Sequence, residues 1–381
     1  MKIALFTDGI FPYVIGGMQK HSFYLVKYLL KNGVYVDLYH MNASDKDIQK
    51  LDVFNDVEKK YLKHFVINFV DTGILPGHYI RASYQYSSAI FEKFRDNSTD
   101  VDLIYAKGFS AWRLLEEREK GFKSPPVAVN FHGYEMFQKA PGFKSMLEQK
   151  LLLQNPVRYN IKKADYLLSY GGKITEILQK LLNGNSKIIE LPTGIESSWL
   201  HEEEPIVNSV LRFVFVGRFE RRKGIEELNA VILKLTERGE KFEFSFIGPI
   251  PPEKQLKQNH VKYYGTVSDP GLMRSLLLQQ DVLVCPSHSE GMPNVIMEGM
   301  ACGLAIVASD VGAISSMVDE KNGILIEPGN ESSLLQGMEQ LIGADIDKIV
   351  KLRKTSVSRV KEQFLWEKLS KKTIAELSKK I

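Results

Sequence analysis

Two carboxylates with seven residues between them, Glu290 and Glu298, stand in the run Pro286-Ser-His-Ser-Glu290-Gly-Met-Pro-Asn294-Val-Ile-Met-Glu298-Gly-Met-Ala-Cys302-Gly303. An apolar strand pattern over 281–284 precedes the run, and a helix pattern begins near Pro293 or Asn294, which sets Glu298 about one turn into that helix. Carboxylates placed this way can grip paired hydroxyls of a sugar, while the free N–H groups of the Gly291 to Val295 stretch (Gly291, Met292, Asn294 and Val295, with Pro293 between them lacking one) face phosphate or sugar oxygens. Each Glu taken alone also reads as a dipole partner or a cap. The pair between a strand and an apolar helix is a more specific pattern.

A second run, Val216-Gly217-Arg218-Phe-Glu-Arg-Arg-Lys223-Gly224, follows a strand pattern and leads into a helix pattern. Arg218 and Lys223 there could neutralise a diphosphate leaving group without a metal ion. Cations at a helix start oppose its dipole, so they ask for an anion. A third place is Pro12-Tyr-Val-Ile-Gly16-Gly17, between the first strand pattern and a helix from about Met18. Paired glycines let backbone N–H groups approach an anion closely. The loop lacks the GxGxxG order and a Walker lysine, so a plain turn into a helix explains it as well.

Metal chemistry has a weaker footing. Asp100-Val-Asp102 and Asp45-Lys-Asp47 both satisfy the DxD pattern through which some enzymes hold a divalent ion. Asp100 and Asp102 precede their strand instead of following it, and Asp45 lies in a polar segment. Both read as solvated turn acids, and no essential metal and no cofactor is expected.

Short β-branched runs alternate with longer helical patterns along the whole chain. Strand patterns cover 2–6, 34–39, 102–105, 127–130, 166–169 and 187–191, then 211–216, 243–247, 261–264, 281–284, 305–307 and 323–326. Helix patterns fall at about 18–31, 78–95, 110–120, 142–163 and 172–182 in the first half. Such alternation predicts α/β architecture with parallel sheets and helices on both faces, ligands lying beyond the carboxyl ends of the strands. The acidic stretch 202–208 reads as a linker, dividing the chain near residue 205.

At 381 residues the chain is long enough for two domains, and 44% hydrophobic with 25% charged residues is a globular balance. The net charge of +4 lies in the first 200 residues, with 26 Lys and Arg against 21 Asp and Glu; the remainder has 24 against 25. That is too small a bias for nucleic-acid binding, and no zinc-finger or RNP-type motif supports it. No apolar run reaches the roughly 18–20 residues of a membrane span, and Asp8 interrupts any signal-peptide core, so a cytoplasmic location is expected. Cys285 and Cys302 fit no metal spacing and read as buried free thiols.

The sequence resembles the retaining, nucleotide-sugar-dependent glycosyltransferases of GT-B fold, family four, over nearly its whole length. The resemblance is carried by the Pro-x3-Gly-Gly loop with His21 and Leu25, Asn-Phe-His132-Gly133, Leu-Pro-Thr-Gly-Ile195, Gly-Arg218 with Lys223-Gly224, and Glu290-Gly-Met-Pro-Asn with Glu298. It departs from the family pattern at Val34, Thr193, Gly299 and Ala305. It implies two doubly wound Rossmann-like domains across a central cleft: an acceptor-side domain over 1–204, a nucleotide-sugar domain over 205–365, and a last helix within 366–381, around 367–380, returning to the first domain. It places Gly16 and Gly17 over the donor diphosphate and sugar, Arg218 and Lys223 on the diphosphate, Glu290 and His132 at the transferred sugar, and Glu298 on the ribose, with backbone of 292–295 completing the donor site. As a residue at a strand end, His132 also reads as a satisfied structural histidine.

The implied reaction moves a hexosyl unit from a UDP- or GDP-linked sugar to a hydroxyl of a glycan or lipid-linked acceptor, in bacterial surface polysaccharide or lipopolysaccharide synthesis. Two aromatic and basic segments, 78–95 (Tyr79, Tyr84, Tyr86, Phe91, Phe94) and 131–163 (Phe137, Phe143), could rest on the inner membrane or accept a lipid-linked sugar. Helices packing aromatics inward and lysines outward would read the same way. A GT-B nucleotide-sugar epimerase, or a silent nucleotide- or glycan-binding protein, remains an alternative.

Overall fold

Strands buried on both faces read as unbroken apolar runs, and those runs form the middle of two parallel sheets. The computed structural model describes residues 1–42, 48–68, 72–73, 77–97, 100–183, 187–206 and 209–381. The first sheet holds β1 (Lys2–Phe6), β2 (Tyr35–His40), β3 (Leu62–Val66), β4 (Leu103–Lys107), β5 (Val127–Asn130), β6 (Tyr166–Ser169) and β7 (Ile188–Glu190). Its order is β3-β2-β1-β4-β5-β6-β7, all parallel. The second holds β8 (Leu211–Val216), β9 (Phe242–Ile247), β10 (Val261–Tyr263), β11 (Val282–Cys285), β12 (Ala305–Ser309) and β13 (Gly323–Ile326) in the order β10-β9-β8-β11-β12-β13, again parallel. Each sheet therefore reverses direction once, between β1 and β4 and between β8 and β11. Those two crevices are where ligands gather in doubly wound folds.

Three expectations need correction. The first sheet has seven strands, not six: Leu62-Lys-His-Phe-Val66 is an edge strand in which only Phe65 is buried, so Lys63 and His64 interrupt its apolar pattern. The helix expected over 142–163 is an α-helix over Phe143–Glu148, a wide π-type stretch over Gln149–Leu153 and an α-helix over Gln154–Lys163. The basic run near Lys223 does not open a helix. It forms a 3-10 turn over Arg221–Lys223, closed by Gly224 in the left-handed region, ahead of the helix Ile225–Glu237, whose Glu226 and Glu227 pair with Arg221. Other strand bounds shift by one or two residues: β4 runs on to Lys107, β11 starts at Val282 and β12 ends at Ser309.

One apolar cluster runs through both sheets' surroundings, joining Ile104 and Val129 to Leu283, Met300 and Ile314. The chain returns at its end: the helix Trp366–Ser378 packs on the helix Gly17–Lys31, and Leu365 makes a parallel bridge to Ile195. Buried Asp281 ties the second sheet's base together, with Arg353 at 2.6 Å and Arg212 at 3.1 Å. Cys285 and Cys302 are buried and unpaired, and burial pushes their thiols up, to about 11 and about 12. Asp100 and Asp102 lie at the amino ends of the strands, away from the crevices, and both bond Lys2, through its ammonium and its backbone N–H respectively. Asp45 and Asp47 lie outside the described residues. Among the described residues no group of three His, Cys, Asp or Glu could hold a metal ion, and no helix is long and apolar enough to cross a membrane.

Candidate active site

β11 ends at Cys285, and the loop after it drops Glu290 into the crevice beside β8. The carboxylate is buried, and three side chains converge on it. Lys223 Nζ lies 2.6 Å from Oε1, Ser287 Oγ donates to the same oxygen at 2.8 Å, and Arg222 Nη1 is 3.5 Å from Oε2. Burial works to raise this carboxyl, but the charges of Lys223 and Arg222 outweigh it and hold Glu290 below the usual Glu value. The site therefore carries an ionised carboxylate with two cations, a preformed charged cluster. Gly224 makes this approach feasible: a Cβ there would stand 2.0 Å from the Pro286 carbonyl oxygen.

Arg218, which the resemblance places on the diphosphate, does not join this cluster: its guanidinium is 69% exposed and pairs with Glu220 at 2.8 Å. Arg222, four residues on, takes the inner position, donating also to the Ser289 carbonyl at 2.9 Å. The run's sequence advertised its cations without telling which of them the 3-10 turn would face inward.

Glu298 lies one turn into the helix Asn294–Ala301 and faces the other domain, where Lys20 Nζ is 3.4 Å away. It lines a cleft with His21, Tyr24, Thr193 and Asn294. The free N–H groups at the start of that helix open beside the Gly291–Pro293 loop, whose Met292 side chain is buried in the core.

The first domain closes over Glu290 from its own crevice. His132, two residues beyond β5, lies with its carbonyl against Gly291 and its Nε2 3.6 Å from where a Cβ on Gly17 would be. Gly16 leaves room for the Gln19 amide, which donates to Asp8 at 2.9 Å. Gln138 spans the domains, donating to the carbonyls of Gly133 and, at 2.7 Å, Glu290. Nothing in the local sequence marks Gln138 for that task.

Behind His132 runs a buried polar chain. Tyr170 Oη is 3.1 Å from His132 Nδ1 and donates to Asn130 Oδ1 at 2.9 Å; Lys107 Nζ donates to the same oxygen at 2.8 Å and lies 2.9 Å from His21 Nδ1. Burial, then the Lys107 charge, lowers His132 to about 4, and burial drives Lys107 well below its ordinary value despite Asp8 nearby. His132 is thus a neutral ring at neutral pH. Asp8 is pushed up to about 6 by burial, against the hydrogen bonds from Gln19 and Thr7 and the Lys107 charge.

Gly17, His132 and Gly291 meet across the two domains beside the Lys223–Glu290 pair, Asn294 and Glu298 line a cleft with His21 and Tyr24, and Arg218 pairs with Glu220 outside the cluster. A family model described as Glycosyl transferases group 1 matches residues 211–344, which is most of the second domain. Among curated relatives, the putative teichuronic acid biosynthesis glycosyltransferase TuaC of Bacillus subtilis is 30% identical over 47% of this chain and 47% of its own length, so that alignment reaches about half of the relative. An uncharacterized glycosyltransferase of Methanocaldococcus jannaschii, MJ1178, is 26% identical over 97% of this chain and 95% of the relative. Among solved structures, sucrose-phosphate synthase from Thermosynechococcus elongatus superposes with a TM-score of 0.77 over 99% of this chain and 98% of that one, at 18% identity. The fold is GT-B, and its second domain carries Lys223, Arg222, Glu290 and Glu298.

Proposed function

We propose that the protein is a retaining glycosyltransferase that moves a hexosyl unit from a nucleoside-diphosphate sugar to a hydroxyl of a glycan or lipid-linked acceptor, without a metal ion or other cofactor. The observation that carries this reading is the buried Glu290 carboxylate gripped by Lys223 and Arg222, in the loop that leads into the helix Asn294–Ala301, with Glu298 one turn into that helix. Lys223, Arg222 and Arg218 supply positive charge for a departing nucleoside diphosphate, and the N–H groups of Asn294 and Val295 add the helix dipole. Glu298 accepts hydrogen bonds from ribose hydroxyls. Glu290, with one oxygen bonded twice by protein, offers the other to a sugar hydroxyl. Neutral His132 orients a further sugar hydroxyl from the opposite domain. The acceptor hydroxyl attacks the anomeric carbon, its proton passes to the leaving diphosphate on the same face, and the configuration is kept. Bacterial surface polysaccharide or lipopolysaccharide is the proposed product, made at the cytoplasmic face of the membrane.

The test is a panel of UDP- and GDP-sugars in EDTA, read by thermal shift and nucleoside-diphosphate release, with Glu298→Ala and Lys223→Ala as controls. Stabilisation by one nucleotide class that survives EDTA and vanishes in both variants is the expected result. Dependence on added divalent metal refutes the metal-free site, an epimerised sugar released without acceptor identifies an epimerase, and binding without turnover identifies a silent binder.

A further inference from the structure

Helices of folded proteins ordinarily turn their apolar stripe inward. The stretch Phe143–Leu153 turns it outward. Phe143, Met146, Leu147 and Leu151 recur at intervals of three and four residues and share one helix face, yet Phe143 is 76% and Leu151 64% exposed, and no residue from Phe143 to Leu153 is buried. The next helix, by contrast, is fixed to the domain: Gln154 donates to the Met136 carbonyl at 2.9 Å, Arg158 lies over the Phe137 ring, and Val157 and Ile161 are buried. The outward face is therefore held in place and not frayed from the body. The other aromatic segment, on the helix His78–Asn97, packs Tyr86, Phe91 and Phe94 into the core in the ordinary way.

Charge says what could cover the stripe. Between Lys139 and Lys163 there are six cations and a single acid, Glu148. Lys144 and Lys150 are exposed within the stripe's own span, and among the described residues no ion pair engages them. A second copy of this chain meeting the face about a two-fold axis would set these like charges together. An anionic bilayer fits both features, since apolar side chains enter the acyl boundary while ammonium groups stay at the phosphates.

We propose that Phe143–Leu153 is a docking surface for an anionic lipid bilayer. The site beside it gives the docking a purpose, and this step rests on the transferase reading. Leu152 lies 3.8 Å from where a Cβ on Gly77 would be, and two residues on, Tyr79 lines a cavity of about 240 Å³ with Asp8, Tyr86 and Lys107 at the carboxyl ends of β1 and β4. A bilayer under the stripe brings the head of a lipid-anchored acceptor to that cavity.

The experiment uses the full chain and sedimentation with vesicles of phosphatidylcholine, with and without phosphatidylglycerol. Two variants are compared, Phe143→Ser/Leu147→Ser/Leu151→Ser and Lys144→Glu/Lys150→Glu, each checked for an unchanged thermal midpoint and unchanged nucleotide-sugar binding. Partitioning onto phosphatidylglycerol vesicles that weakens with salt, and falls by about tenfold or more in each variant, is the expected result. No partitioning, or equal partitioning onto phosphatidylcholine alone, overturns it. So does a wild-type dimer that the triple variant turns into a monomer, which would make the occupant a second copy. Vesicle binding without nucleotide-sugar binding by the wild type would leave this surface standing and sink the transferase reading instead.

Discussion

A Cβ on Gly291 would stand 2.1 Å from the carbonyl oxygen of His132, so the backbones of the two domains touch at the candidate site. Neither partner is the end of a flexible side chain, and one domain must move if a methyl group is added. Gly291→Ala should therefore hold Glu290 away from His132 by a fraction of the cleft's width. Misplacement on that scale lowers turnover by about 100-fold, while the separate domain cores keep the thermal midpoint nearly unchanged. Steady-state kinetics with small-angle scattering checks this: an unaltered kcat with an unaltered radius of gyration would show that the domains do not need this contact.

Lys223 and Glu290 form the buried ion pair of the site, at 2.6 Å. Removing one partner of a buried pair leaves an uncompensated charge, which costs about 3–5 kcal/mol when nothing replaces it. Arg222 stays beside Glu290 in a Lys223→Met variant, so its loss in urea unfolding should fall below that range. Adding Glu290→Gln to Lys223→Met should recover part of that stability while leaving transfer abolished. A double variant less stable than Lys223→Met alone would show that Ser287 and Arg222 hold the carboxylate for structural reasons.

The strands that carry the site were legible because parallel central strands are apolar on both faces: Leu211–Val216 and Val282–Cys285 announce themselves, as do the glycines and acids that follow them. The edge strand Leu62–Val66 was not, since Lys63 and His64 interrupt its apolar pattern. Glu290 and Glu298 could be singled out by spacing, whereas the choice of Arg222 over Arg218 depends on a 3-10 turn whose facing no periodicity encodes. Lys107 lies two residues beyond the strand pattern over 102–105, and no motif singles it out; its burial is set by His21, Asn130 and Tyr170, which come from distant parts of the chain.

The same network fixes a pH response. His132 is lowered to about 4 in the fold, chiefly by burial, from an ordinary 6.5. Its neutral form is favoured, so its contribution is complete above pH 6.5 and is lost as pH falls towards 4, a change on the order of 3 kcal/mol. Asp8, raised by burial to about 6 from 3.8, acts oppositely: it favours the fold at low pH, and that contribution is lost as pH rises through 6. His132→Gln should thus remove its share of the acid-side decline, with buried His21 and His40, also lowered by burial, keeping theirs, and make stability flatter between pH 6.5 and 4 than in the wild type, whereas Asp8→Asn should steepen the decline. Urea midpoints across that window decide it, and identical slopes in wild type and both variants would place neither titration there.

Trp366 opens the returning helix with its ring buried among His21, Tyr24 and Tyr28, at centroid distances of 5.5, 6.2 and 5.9 Å. Its backbone N–H bonds the Ile195 carbonyl at 3.1 Å, yet its indole Nε1 has no hydrogen-bond partner among the described residues. The side chain therefore contributes through area and not through a polar bond. Trp366→Ala should cost about 3–5 kcal/mol by leaving a cavity, and Trp366→Phe much less, because no hydrogen bond is forfeited. The effect should extend to ligand binding, since His21 and Tyr24 line the cleft with Glu298. Loosening them in Trp366→Ala should weaken nucleotide-sugar affinity, with Trp366→Phe close to wild type. Urea unfolding and calorimetric titration measure the two effects; a Phe variant as unstable as the Ala variant would mean that the indole nitrogen is bonded after all, through water.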